Sequence, residues 1–205
     1  MADPANRGAA DVAGWPAGDV EPTALDGAAN VVGALSLVIA DQAADAVASA
    51  AGRSESAAAA LSALLHFLDR PSVDLLRQVL GLTSSGTVRL VDRLAESGYV
   101  RREAGPDGRT TCVVLTEAGW QTATRVSQAR AAVLHKSLAV LTPAERAAFA
   151  ELAGKVLVGM MRGPGAARWI CRLCDTGTCR GSESGCPVGT AARARYAAEP
   201  GSVTG

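Results

Sequence analysis

Four of the chain's five cysteines fall within one stretch, CRLCDTGTCRGSESGCP, from Cys171 to Pro187. The spacing is C-x2-C-x4-C-x6-C. A C-x2-C turn brings two thiolates onto one ion, and Cys179 and Cys186 need only a short loop to complete a tetrahedron. Gly177, Gly181 and Gly185 give the winding chain its conformational freedom. Such a donor set suits a closed metal site with no open position for catalysis. Zinc is favoured, because the compact spacing resembles a short zinc knuckle. A [4Fe–4S] or [2Fe–2S] cluster needs the same four thiolates, and the Cys186-Pro187 ending resembles ferredoxin-type runs. A reversible Cys171–Cys174 redox pair and an unmetallated tail are the competing readings. The site would either sense metal, oxygen or redox state, or staple the C-terminus.

The rest of the chain must position this module. Its 205 residues suffice for one sizeable domain with appendages. Twenty basic and twenty acidic residues cancel, so a globally basic nucleic-acid binder is not indicated, whereas a local basic surface is allowed. An Ala-rich composition, 48% hydrophobic and 3% aromatic, favours helices. No basic n-region followed by an apolar core opens the chain. The longest apolar run, VVGALSLVIA, is too short to span a bilayer. A cytoplasmic protein without a membrane partner is expected. Thiols stay reduced there, so clustered cysteines point to metal or redox chemistry rather than a disulfide framework.

Residues 1–24, rich in Pro, Gly, Ala and Asp, predict a disordered tail. A helix follows over about 26–51 and is broken by GRSES. A second lies in SAAAALSALLHFLD and ends before Pro71. Ser72 should cap a helix over Val73–Leu80 that Gly81 stops, and Thr83 one over roughly Ser84–Ser97 that Gly98 stops. Helix, short Gly-containing turn, helix is a helix-turn-helix pattern. Val88, Val91, Leu94 and Ala95 mark its inner side; Ser85, Arg89, Asp92, Arg93 and Glu96 mark the outer. Tyr99–Glu103 and Thr110–Leu115 flank GPDG as a hairpin, placed as a wing. About 25 residues of helix follow Thr116. In TPAE, Thr142 caps, Pro143 takes the first helical position and Glu145 completes a capping box, opening a helix to about Arg162. Residues 163–190 form the Cys-rich module, with Trp169 and Ile170 expected to pack it on that helix, and 191–205 a flexible tail.

The run LLRQVLGLTSSGTVRLVDRLAESGYVRREAGPDGRTTCVVLTEAG, with LTPAERAAFAELAGKVL after it, resembles the MarR family of bacterial transcriptional regulators. RLVDRL, the DGR wing tip and LTEAG, in that order, carry the resemblance, which covers roughly residues 28–162. It implies a mainly α fold over 25–162: a winged helix-turn-helix whose N- and C-terminal helices form a dimerisation domain. It further implies a homodimeric, sequence-specific regulator of transcription, usually a repressor relieved by a small ligand, oxidant or metal. The cysteine module lies beyond the family's common end.

On double-stranded DNA, the small residues Ser84, Ser85 and Gly86 would let the start of the recognition helix approach a phosphate. Arg89, one turn on from Ser85, can reach a guanine edge or a phosphate. Arg109 at the wing tip suits a narrow minor groove, and the resemblance places a wing arginine there too. Alternatively it pairs with Asp107. Arg101 and Arg102 alternate across the first wing strand, so at most one reaches phosphate, and Arg102 is taken as that one. Over residues 84–109, Arg89, Arg93, Arg101, Arg102 and Arg109 exceed Asp92, Glu96, Glu103 and Asp107 by a single charge. A modest salt dependence follows, and a two-fold dimer should prefer a pseudo-palindromic operator with half-sites about 10 bp apart.

Cys112 reads as a small buried hydrophobe, and His66 and His135 as ordinary surface or interface residues. No nucleophile–base constellation occurs, so an enzyme is not expected. The rival classes are a redox or electron-transfer protein built on the cysteines, and a partner-binding protein that keeps the fold without reading DNA.

Overall fold

The computed structural model describes residues 23–196 except 53, 107, 164 and 181–184. The expected N-terminal tail, apart from Thr23 and Ala24, and the last nine residues of the expected C-terminal tail lie outside the described residues. The chain divides into two units between Leu37 and Val38.

The described part of the first unit is the opening of helix α1 (Ala24–Ala51). Asp26 accepts from the Thr23 amide at 2.8 Å, and Thr23 Oγ1 accepts in return from the Asp26 amide at 3.2 Å. This reciprocal cap satisfies donors that a helix start leaves open. Leu25, Val31, Val32, Leu35 and Leu37 are all exposed. The ten-residue apolar run sits inside a much longer helix. By length and composition alone, Ala24–Ala50 could cross a membrane, with a mean hydropathy of 1.6. One such helix near the N-terminus is weak evidence of a span, and the expectation of no membrane segment stands.

The second unit holds the remaining helices and the sheet. Helix α2 (Glu55–His66) buries Ala57 through Ala63. Helix α3 (Val73–Leu80) is capped by Ser72, whose hydroxyl accepts from the Leu75 amide, and ends at Gly81 in the left-handed conformation, φ 65°. Helix α4 (Ser84–Glu96) is capped by Thr83, which accepts from the Gly86 amide at 3.1 Å. Strands β1 (Val100–Ala104) and β2 (Thr111–Leu115) pair antiparallel, Val100 opposite Leu115 and Ala104 opposite Thr111. Helices α5 (Glu117–Leu138) and α6 (Pro143–Gly159) follow. The expected capping box at Thr142 and Glu145 is formed.

One core joins these elements: Leu61, Leu76, Val79, Leu90, Leu94 and Val113 are all at most 2% exposed. Two backbone contacts set the wing on it. The Val113 amide donates to the Pro71 carbonyl at 2.9 Å, so β2 is tied to the chain two residues before α3. Helix α5 starts against the other end of the wing, where the Thr116 amide donates to the Tyr99 carbonyl at 3.0 Å. A Cβ added at Gly119 would stand 1.8 Å from that Tyr99 oxygen, so only glycine fits. Further along, Val126 of α5 packs on Val47 and Ala58.

The inner face of α4 needs one correction. Thr87, Leu90, Val91 and Leu94 are buried, whereas Val88 is 45% exposed. The helical period centres the buried stripe between residues 90 and 91, and Val88 falls beyond its edge.

The module after residue 162 is folded onto the second unit. Helix α7 (Ala166–Ile170) packs on α3, and α9 (Pro187–Tyr196) packs on α6, with the short α8 (Thr176–Arg180) between them. Met161, Ala166 and Val188 form a small core with Ile170, Cys171, Cys186 and Tyr196 around it. Residues 191–196, expected to belong to the flexible tail, are instead helical, because Ala191, Ala192 and Tyr196 have that core to cover. Ile170 faces the same core, but the Trp169 indole lies against Gly81, at the end of α3 rather than on α6.

Helix α8 docks on the end of α2. Thr176 Oγ1 donates to the His66 carbonyl at 2.8 Å, and His66 Nδ1 stands 3.5 Å from Asp175. The other ring nitrogen, Nε2, shares a 2.9 Å hydrogen bond with Ser127 of α5. Of the two expectations for His66, surface or interface, the second holds: it is a docking residue with a mostly buried ring. Burial lowers its pKa, against the opposing pull of Asp175.

Two outcomes test this packing. Gly119→Ala should destabilise the protein by about 1–3 kcal/mol, since the backbone carbonyl in its way has no room to yield. An unchanged urea midpoint would refute the close approach. Thr176→Val should speed tryptic cleavage at Arg168 or Arg172 at least threefold, on the order expected when a hydrogen bond worth about 1 kcal/mol is lost, with helicity preserved. Equal cleavage rates would mean that α8 is not held there.

Candidate nucleic-acid interface and cysteine cluster

The start of α4 presents Ser84 and Ser85 to solvent, and its cap draws Gly86 close to Thr83: a Cβ there would meet Thr83 Oγ1 at 3.0 Å. Arg89 is exposed and has no ion-pair partner among the described residues. Beside it, Val88 offers an exposed apolar surface that sequence reasoning assigned to the core. The signal was available: residues 87, 90, 91 and 94 fit the helical period better than 88, 91, 94 and 95.

Between the strands, the Gly105 amide donates to the Thr110 carbonyl at 2.7 Å, and Gly108 takes a left-handed φ of 66°. This turn sets Arg109 on the exposed tip of the wing. Its expected pairing with Asp107 lies outside the described residues. Cys112 is 4% exposed, as expected of a small buried hydrophobe.

Arg101 and Arg102 diverge, as strand alternation requires. Arg101 pairs with Glu103 on its own face at 2.6 Å. Arg70 also contacts Glu103, and these guanidiniums, Arg101 first, hold the Glu103 carboxyl below its usual range. Arg102 instead reaches α4, donating to Asp92 at 2.6 Å. The residue expected to meet phosphate thus bridges the wing and α4. Sequence patterning had no means of pairing residues ten apart across a helix and a strand.

The four C-terminal thiols come into mutual influence. Cys171 and Cys174 share a hydrogen bond. Once Cys174 has lost its proton, its thiolate accepts from the remaining Cys171 S–H. That contact, aided by the Arg130 and Arg172 guanidiniums, holds Cys174 down to about 6 and pushes Cys171 up. Cys186 hydrogen-bonds with both Cys171 and Cys179, and burial raises the Cys179 thiol. The Gly189 amide donates to Cys186 Sγ at 3.3 Å. Among the described residues, no three His, Cys, Asp or Glu side chains form a group spaced to hold a metal ion. The loop between Cys179 and Cys186 includes residues 181–184, outside the described set.

Known proteins match this arrangement at two levels. The MarR family model matches residues 51–110, the segment from the start of α2 to the wing. No curated protein matches the chain. Among solved structures, Sco3205 of Streptomyces coelicolor, a MarR family transcriptional regulator in complex with DNA, is similar with a TM-score of 0.57 at 21% identity. The match covers 73% of this chain and 99% of that one. MepR, a transcription regulator of the Staphylococcus aureus multidrug efflux pump MepA, gives a TM-score of 0.56 at 14% identity, covering 65% and 98% of the two chains. A MarR family transcriptional regulator from Silicibacter pomeroyi gives 0.54 at 26% identity, covering 70% and 99%. The chain therefore has the mainly helical, winged-helix fold of MarR regulators, with the family's sequence pattern in the segment that carries the helix-turn-helix and most of the wing.

Proposed function

We propose that this protein is a homodimeric transcriptional regulator, a repressor by preference, that reads pseudo-palindromic double-stranded DNA. One observation carries the reading: the exposed face of α4, with Ser84, Ser85 and Arg89, stands in one winged helix with the Arg109 wing tip. The start of α4 would meet phosphate, Arg89 a guanine edge or phosphate, and Val88 a thymine methyl in the major groove. Arg109 would enter the minor groove. Arg102 would join phosphate only by sharing itself with Asp92. The DNA complex of Sco3205 supports this use of the fold. Dimerisation is supported by apolar side chains left exposed, Phe149, Leu152, Val156 and Met160 on or next to α6 and Leu25, Val31 and Val32 on α1.

The cysteine cluster is read as a metal site, with zinc preferred to an iron–sulfur cluster. Cys171, Cys174, Cys179 and Cys186 would hold the ion. Four thiols are the donor type that zinc takes, and hydrogen bonds link Cys186 to Cys171 and Cys179 and Cys171 to Cys174, although no three of them stand close enough to hold an ion as placed. Closing four thiolates on one ion would require them to shift, and α7 and α9 would carry that shift to α3 and α6. This route favours a sensing role over a staple alone.

Several measurements decide the matter. On an operator selected from a random duplex library, Arg89→Ala should weaken binding about 10- to 100-fold and relax specificity. Arg109→Ala should weaken binding across sequences. Asp92→Asn should do the reverse, strengthening binding several-fold and steepening the salt slope by about one, since Arg102 is released toward phosphate. If no duplex is selected, or both arginine variants bind like the parent, the partner-binding reading takes over. Protein purified without oxygen should be colourless with one zinc per chain. A brown solution absorbing near 400 nm would instead give the site to a cluster, and metal-free protein with unchanged operator affinity would end the sensing role.

A further inference from the structure

Beyond the segment that matches the MarR model, the chain turns basic. Residues 160–196 carry six arginines and no lysine against Asp175 and Glu183, a net charge of plus four. Residues 84–109, with α4 and most of the wing, reach only plus one. Asp175 is engaged inside the module: it accepts from the Gly177 and Thr178 amides at 2.8 and 3.2 Å and from the Thr178 hydroxyl at 2.8 Å, and it faces His66. No carboxylate among the described residues pairs with Arg162, Arg172 or Arg195.

We propose that this surface is a second DNA contact, in which Arg162 and Arg172 grip the phosphate backbone beside the base pairs that α4 faces. Its place in the fold carries the proposal. The Trp169 indole nitrogen lies 3.5 Å from where a Cβ of Gly81 would stand, and Gly81 opens the turn into α4. Arg172 is stacked over that indole, 5.1 Å from its centroid, and donates to the Trp169 carbonyl at 2.9 Å. The stack fixes the guanidinium and leaves most of its five donors open. Arg162 is exposed and borders the same hollow as Trp169, against α3. Arg195, exposed on α9, reaches the Val158 carbonyl near the end of α6, four residues before Arg162. The indole N–H has no hydrogen-bond partner among the described residues and adds one more donor beside the turn.

The chemistry favours phosphate. A guanidinium fork matches two oxygens of one phosphate, which a lysine ammonium meets only as a point charge. Fixed forks beside the start of α4 would meet the strand where it leaves the major groove. Such contacts fix register and strength and carry no sequence information. The proposal rests on the DNA-reading function proposed above and lengthens the surface that performs it.

The test uses the full chain, the operator selected from the random library and a scrambled duplex of equal length. R162A/R172A should weaken both duplexes alike, about tenfold, and lower the salt slope by about 0.9 per arginine in each subunit. Hydroxyl-radical cleavage of the operator complex should show the outermost protected sugars lost in this variant and the inner ones kept. R162A alone breaks no bond among the described residues, so its loss of about threefold, with a slope lowered by about 0.9 per subunit, reads the contact without a cost to folding. The proposal is overturned if R162A keeps the parent's salt slope, or if the double variant loses affinity for the operator but not for the scrambled duplex. It is equally overturned if the outermost protections survive the double substitution. A parent that binds its operator while both variants match it refutes this contact alone. A parent that selects no duplex refutes the DNA-reading function and this contact with it.

Discussion

Helix α5 can run where it does only because residue 119 has no side chain. The Tyr99 carbonyl occupies the place where a Cβ would go, 1.8 Å away. That approach lets the Thr116 amide bond back to Tyr99, so the second strand of the wing turns straight into the helix. From there α5 serves three regions in order. Gly119 seats the wing, Val126 packs on Ala58 and Val47, and Ser127 holds the His66 ring that faces Asp175. The winged helix and the cysteine module thus share one support. Elements packed this densely do not deform continuously, so a shift at one end is transmitted or resisted as a whole.

Electrostatics at the winged helix are governed by partition rather than by total charge. The excess over residues 84–109 is a single positive charge. Glu103 engages Arg101 and Arg70, and Asp92 engages Arg102. Exposed ion pairs of this kind add little stability, typically well under about 1 kcal/mol. Their effect is to decide which cations face outward. Arg89 is left without an ionic partner among the described residues, at the place where a helix dipole and a neighbouring apolar side chain also point to solvent.

The cysteine module changes its standing once its contacts are known. It is neither a tail nor a separate domain. Its own core of Met161, Ala166 and Val188 is too small to stand alone, so it borrows surface from α3 and α6. Through α7 it touches α3 directly, and so adjoins the helix-turn-helix.

Much of the fold was legible in the sequence because the signals were local. Ser72, Gly81, Thr83, Thr142 and Glu145 act within a turn of their own position, and the helix-turn-helix bounds they predict match those observed to within one residue. The wing was legible for the same reason, from GPDG and its β-rich flanks. The types of the candidate residues, four thiols and a few arginines, were equally plain. Tertiary structure alone decided which arginine is spoken for, that Val88 faces solvent, that His66 receives Asp175, and that Trp169 leans on α3. Each of these depends on partners far apart in the chain, and local propensity carries no information about which distant surface a side chain will meet. The sequence by itself therefore determined the elements and the chemical groups they carry. Packing across the fold determined how those groups are paired, buried or left to act.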